Sequence, residues 1–232
     1  MQPTSESRQD VTAKFALDHL LGFVSHTYTK CDHAKWQSFY KAISRHAWFG
    51  TSAGCILETH VLLWFRYTPA QDCLQCTHAV DSLPLLDIPV CGKNMVFFSK
   101  ASDLKDIDEH ECPKCLVSVS QTFPTCDAIV LTDNFVITVQ MTTTSECNAK
   151  NIGFEEVYEC LPSKFLDKCQ RCHVFLTDTE AKVDLLREQK LMEMPEKMTI
   201  HVYSAFFNID QWDSILTKEH VEELDNDIVS RY

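Results

Sequence analysis

Apolar side chains recur at helical spacing three times early in the chain. Val11 to His26 carries Phe15, Leu17, Leu20, Leu21 and Val24, and Ala34 to Ala47 carries Trp36, Phe39, Tyr40 and Ile43. These two stretches predict a helical leader over residues 1–50. A third stretch, Ala53 to Arg66, places Val61, Leu62 and Phe65 on one stripe and is set off by Gly50-Thr51-Ser52, a break with a hydroxyl suited to cap a helix. Glu58 falls on that same stripe. The plain reading of such a carboxylate is an edge residue reaching out to solvent.

The spacing then changes. Residues 69–89 are turn-rich and predict no regular element, Met95 to Ser99 predicts a short strand, and Ala101 to Glu111 a charged loop. Asp127 to Thr132 and Phe135 to Thr142 are β-branched runs joined by Asp133-Asn134, two residues that tolerate the left-handed backbone of a two-residue hairpin turn. In that hairpin Thr132 opposes Phe135, and counting back sets Asp127 across from Gln140, with both side chains on one face roughly 5 Å apart. Thr142 shares the face. Asn148 is suited to cap a helix ending near Leu161, with Phe154, Val157, Tyr158 and Leu161 turned to the sheet and Lys150 on the same face. His173 to Leu176 predicts another strand, Thr177-x-x-Glu180 a capping box opening a helix to near Leu191, and Thr199 to Tyr203 a last strand. An acidic helical tail is predicted over 208–232. The order after residue 50 places residues 51–207 in the α/β class, layered about a mixed sheet.

Composition narrows the chemistry. The 232 residues are 45% hydrophobic, enough for a packed core, and 33 acidic against 21 basic residues give a formal charge of -12. A chain so acidic does not coat nucleic acid by general attraction and needs a local basic patch or a partner. None of the five glycines are spaced for a phosphate-cradling loop, which argues against ATP and NAD chemistry. The polar stretch Met1 to Asp10 is unlike a secretory leader, and no run of eighteen apolar residues predicts a membrane span. The twelve cysteines are therefore expected to be reduced, in a protein of the nucleus or cytoplasm with no membrane partner.

Glu58, Asp127, Gln140 and Lys150 form a hydrolase-like set. Mg²⁺ takes oxygen ligands, usually one or two carboxylates with carbonyl or phosphate oxygens, which suits Asp127, Gln140 and Glu58; a nearby lysine suits a phosphate or an attacking water. At these residues the chain resembles the nuclease-like C-terminal domain of Crinkler and RHS-type effectors, a branch of the restriction-endonuclease-like PD-(D/E)xK superfamily. Ser52-Ala53-Gly54-Cys55-Ile56-Leu57-Glu58-Thr59-His60 is similar to the family's small-Ala-Gly helix ending in Glu, and Phe123-Pro124-Thr125-Cys126-Asp127-Ala128 to its FPxxDA segment. Gln140-Met141-Thr142-Thr143-Thr144, with Lys150 and Gly153-Phe154, is similar to its QxTxS segment with a following lysine. The resemblance covers roughly residues 45–205. It implies a restriction-endonuclease-like α/β/α core of helix, three strands, helix and strand, acting as a metal-dependent nuclease on nucleic acid, DNA foremost. In that scheme Asp127 is the principal metal ligand, Glu58 the helix acid, Gln140 the counterpart of the second acid, and Lys150 a migrated lysine. The usual (D/E)xK is Gln140-Met141-Thr142 here, so the strand lysine is missing and the second ligand is neutral; Cys147 stands where many relatives have histidine. Relatives often join the module to an NTPase, for which this chain has no Walker loop.

Two alternatives stand beside this reading. Cys73-x-x-Cys76 and Cys112-x-x-Cys115 have the ligand spacing of a structural zinc site, and Cys169-x-x-Cys172 followed by His173 adds a third pair, so a zinc-stabilised interaction module is one. Buried free thiols are the simpler account of those pairs. The other is a catalytically inactive nuclease fold kept for binding a protein or nucleic acid.

Overall fold

The first described helix, α1 (Gly50–Tyr67), is buried around nearly its whole circumference: Ala53, Ile56, Leu57, Val61, Leu63 and Phe65 are all sealed from solvent. A helix this apolar must be wrapped rather than laid on a surface. In the computed structural model, which describes Tyr40 and residues 50–78, 84–118, 126–143, 151–187 and 199–208, the wrapping is done by a curled eight-stranded sheet. Apart from Tyr40 and Gly50, the predicted leader lies outside the described residues, as do Lys150, Cys147, Asn148 and the tail beyond Asn208.

The strands are β1 (Cys73–His78), β2 (Leu86–Pro89), β3 (Met95–Phe98), β4 (Lys114–Ser118), β5 (Ala128–Leu131), β6 (Phe135–Thr142), β7 (Gln170–Thr177) and β8 (His201–Phe206). They lie in the order β2-β1-β8-β7-β6-β5-β4-β3. The two edge strands, β2 and β3, are consecutive in sequence. Six residue steps reach at most about 20 Å, whereas eight flat strands would hold their edges about 34 Å apart. The sheet is therefore obliged to curl, and the connector 90–94 is tied to the end of α1 by the Cys91 and Gly92 amides, both 3.0 Å from the Phe65 carbonyl. Gly92 turns that corner at φ 58, a left-handed conformation that suits glycine.

The concave core gathers α1 and Tyr40 against Ala128, Val130, Ile137, Val139, Cys172, Val174 and Leu176. The convex core gathers α2 (Asn151–Cys160), α3 (Ser163–Lys168), α4 (Glu180–Arg187) and a 3-10 helix (Ala101–Asp106) against Leu116, Ile129, Leu131, Val136 and Phe175. Alternate residues of each central strand thus face α1 or α2. The chain is a mixed α/β protein with helices on both faces of one sheet.

The hairpin has the predicted turn: the Thr132 amide donates to the Phe135 carbonyl at 2.9 Å, and the register runs from Leu131↔Val136 to Ala128↔Val139. Three strands and one helix were not predicted. β1 and β2 fill the stretch read as irregular, β4 begins inside the second CxxC, and α3 follows Pro162, after α2 has ended. Part of the predicted charged loop is the 3-10 helix, started by Asp103, whose carboxylate accepts the Ser99 and Lys100 amides at 3.0 and 3.1 Å.

Candidate functional site

Glu58 lies on α1 between Leu57 and Val61, both sealed in the concave core. Asp127 approaches from the sheet. Its carbonyl accepts from the Ser118 amide on β4 at 3.2 Å, while its own amide donates to the Val139 carbonyl on β6 at 2.9 Å. In a regular antiparallel strand both groups of one residue point to the same neighbour. Asp127 and Ala128 therefore stand together against Val139, the two-against-one pattern of a β-bulge. The bulge slips the strand's phase by one: Cys126 packs in the convex core although Ala128, two residues on, packs in the concave one. Asp127 Oδ2 accepts the Met141 amide at 2.6 Å, closing the end of the ladder.

Both acids keep a minor part of their surface open to solvent while sitting deep in protein. Burial, and then the negative charge of Asp127, push Glu58 up to about 8. Burial pushes Asp127 up to about 6, with the Met141 amide pulling the other way. At neutral pH the pair holds close to one proton between its two carboxylates. Among the described residues neither acid has a basic partner; the ion pairs Lys164–Asp133 and Lys182–Asp178 lie elsewhere.

Gln140 is not part of this pair. Along β6, Ile137, Val139 and Met141 face α1, so Gln140 shares the α2 face with Val136 and lies beside Phe175 of β7, a convex-core residue. The expectation that Asp127 and Gln140 share a face holds for a regular hairpin and fails at the bulge, which turns only Asp127. The structure thus brings Glu58 and Asp127 together and puts Gln140 on the opposite side of the sheet. Gln140→Glu, which supplies the acid of the (D/E)xK pattern, is expected to lower the melting temperature by burying an unpaired charge and to leave divalent-cation affinity unchanged. A tighter Mn²⁺ titration by calorimetry would return residue 140 to the site.

Single cysteines of different pairs do approach, Cys76 near Cys172 and Cys112 near Cys169, but Cys73, Cys76, Cys112 and Cys115 are not grouped as one set of four. Cys73 and Cys76 lie on β1, Cys112 and Cys115 at the start of β4, five strand steps away in the sheet order. Cys172 faces α1 whereas His173 faces α2. Among the described residues no three His, Cys, Asp or Glu side chains are grouped to hold a metal ion. Reading the sequence also missed a polar knot at the end of β7: Asp178 accepts from the Tyr40 hydroxyl at 3.1 Å and from Lys182 Nζ at 3.0 Å, and Lys182 also donates to the Thr143 carbonyl at 2.6 Å. Its only sequence signal was the capping box, which has no place for Tyr40. No described helix is long and apolar enough to cross a membrane.

No family model, no curated protein and no solved structure matches this chain.

Proposed function

We propose that the chain is a restriction-endonuclease-like domain acting as a metal-dependent nuclease on nucleic acid, with Glu58 and Asp127 as the ligands of a divalent cation such as Mg²⁺. The observation that carries the reading is the carboxylate pair itself: two neighbouring acids from a helix and a strand bulge, with no basic partner among the described residues. The order of elements supports it. α1, the antiparallel β4, β5 and β6, the α2 crossover and β7 parallel to β6 make up helix, three strands, helix and strand. The strands β1 to β3 are then an insertion after α1, and β8 an addition beside β7.

The residues present fit such an ion. Mg²⁺ commonly takes only one or two protein carboxylates and completes its shell with water and substrate phosphate. When bound, the ion supplies Lewis acidity toward a phosphoryl oxygen and a more acidic water. Asp127, anchored by the Met141 amide, is the rigid ligand. Glu58 has the higher proton affinity and is the group that gives up a proton when the ion enters. With a net charge of -12, contact with nucleic acid requires a local basic patch or a partner beside the cation.

A second reading, the catalytically inactive fold, is favoured by the placement of Gln140, which leaves the site one ligand short of the family pattern. Labelled single- and double-stranded DNA and RNA, incubated with Mg²⁺, Mn²⁺ or EDTA, decide between them. Cation-dependent cleavage that is lost in Glu58→Gln is expected. Cation binding without cleavage of any substrate favours the inactive fold, and cleavage undiminished in Glu58→Gln overturns the assignment of the site.

A further inference from the structure

Cys91, from the connector between the two sheet edges, and Cys115, from β4, meet in the concave core, where their thiols hydrogen-bond to one another. We propose that this pair is a redox site: a peroxide joins the two sulfurs in a disulfide, and a thiol reductant parts them again. The backbone sets the two residues side by side. Cys91 to Asn94 is a tight turn, closed by the Asn94 amide on the Cys91 carbonyl at 3.1 Å, and the Asn94 carbonyl in turn accepts the Cys115 amide at 2.9 Å. Each thiol proton has its own acceptor. The Cys91 thiol donates to the Pro89 carbonyl at 3.7 Å, which leaves a lone pair of its sulfur for the Cys115 proton. That hydrogen bond, and then burial, raise Cys115 well above the ordinary thiol range, so it keeps its proton until Cys91 has reacted.

The CxxC spacing names a different partner for Cys115. Cys112, however, packs on the convex core while Cys115 is sealed in the concave one, and its neighbour there is Cys169. Cys91 keeps 6% of its surface open to solvent and Cys115 none, so Cys91 meets the oxidant first. Its sulfur attacks one oxygen of hydrogen peroxide, the O–O bond breaks, and the departing hydroxide takes the thiol proton and leaves as water; a sulfenic acid remains. The Cys115 sulfur then displaces that hydroxyl, which takes the Cys115 proton and leaves as a second water. Two thiols and one peroxide thus give one disulfide and two waters. The product is neutral, as a sealed core requires, whereas a soft cation held by the same sulfurs would bring two thiolate charges into it. The bond fastens the connector 90–94, and through it both edges of the sheet, to β4. The inference is independent of the nuclease reading.

The full, folded chain is treated with hydrogen peroxide, its remaining thiols are alkylated, and its peptides are mapped by mass spectrometry without reduction. The expected product is a peptide pair linked through Cys91 and Cys115 with the loss of two hydrogens, undone by dithiothreitol. The linked chain is expected to melt several degrees above the reduced one, because the bond closes a loop that the unfolded chain otherwise leaves open. Cys115→Ala is expected to lose both the link and the rise and to leave Cys91 as a sulfenic acid that dimedone labels; Cys160→Ala keeps the link and the rise. The mapping of the native chain decides whether or not Cys115→Ala folds. A link from either cysteine to any other, a Cys91–Cys115 link that leaves the melting temperature unchanged, or both thiols still free under excess peroxide overturns the proposal.

Discussion

Without divalent cations, the contribution of the Glu58–Asp127 pair to stability is expected to fall as pH rises from about 4 to about 8, and Mg²⁺ to restore it at the alkaline end. The sign follows from which state holds more protons. In the unfolded chain these acids titrate near 4; in the folded protein they are raised to about 6 and about 8. Between those limits the folded state binds more protons, so stability is full below the unfolded values and is lost as pH climbs through the folded ones. The loss is several kcal/mol as an order of magnitude, since each tenfold rise in proton affinity corresponds to about 1.4 kcal/mol and both acids are raised by more than one such step. A cation replaces the proton, so its stabilisation is larger at pH 8 than at pH 5, reaching about 2.7 kcal/mol at a hundred times its Kd. Urea midpoints of the native chain and Glu58→Gln, compared at both pH values, isolate the pair. Asp103 and Asp108, held low by the backbone amides they accept, give a slope of the opposite sign only below about pH 5, outside the interval between those two values. A native-minus-variant difference that does not change with pH would show that the two acids do not interact.

The parts of the fold that could be read in the sequence are those fixed by local chemistry. Asp133-Asn134 set the hairpin, and with it the register through Ala128↔Val139, because a two-residue turn leaves one way to count. The apolar stripe around Glu58 placed that acid on an inward-facing helix. What could not be read depends on partners distant in sequence. β1 contains the first CxxC pair and β4 begins inside the second, which suggests ligand spacing, yet each is a short strand whose pairing partners, β2 and β8, β3 and β5, supply the reason to be extended. The curl of the sheet follows from the short connector 90–94, which has meaning only once β2 and β3 are known to be opposite edges. The bulge at Asp127 was the costliest omission. Alternation along a strand assumes one residue per step, and one extra residue exchanges the faces of everything on its far side. Hence Asp127 joins Glu58, Gln140 stays on the opposite face with Val136 and Thr138, and a site drawn as a trio is a pair on one face with an amide on the other.

Asp127→Asn is expected to lower cation-dependent cleavage steeply while leaving the fold intact, whereas Asp127→Ala should lose both activity and stability. The two substitutions separate the two jobs of this carboxylate. Asn keeps an oxygen to accept the Met141 amide, so the bulge and the end of the β5–β6 ladder persist. It removes the charge that, after burial, raises Glu58, so in the absence of cations the variant should match or exceed the native chain in stability at pH 8. Cleavage should nonetheless fall by on the order of 10²- to 10³-fold, the scale of removing one preorganised electrostatic contact from a reacting centre. Ala takes away the acceptor as well; leaving the Met141 amide without a partner costs about 1–3 kcal/mol. Cleavage rates with Mg²⁺ and urea midpoints without it give the two readings on each variant. If Asp127→Asn cleaves and binds Mn²⁺ as the native chain does while Asp127→Ala merely melts earlier, Asp127 serves to close the ladder, and the carboxylate pair is a feature of folding rather than of catalysis.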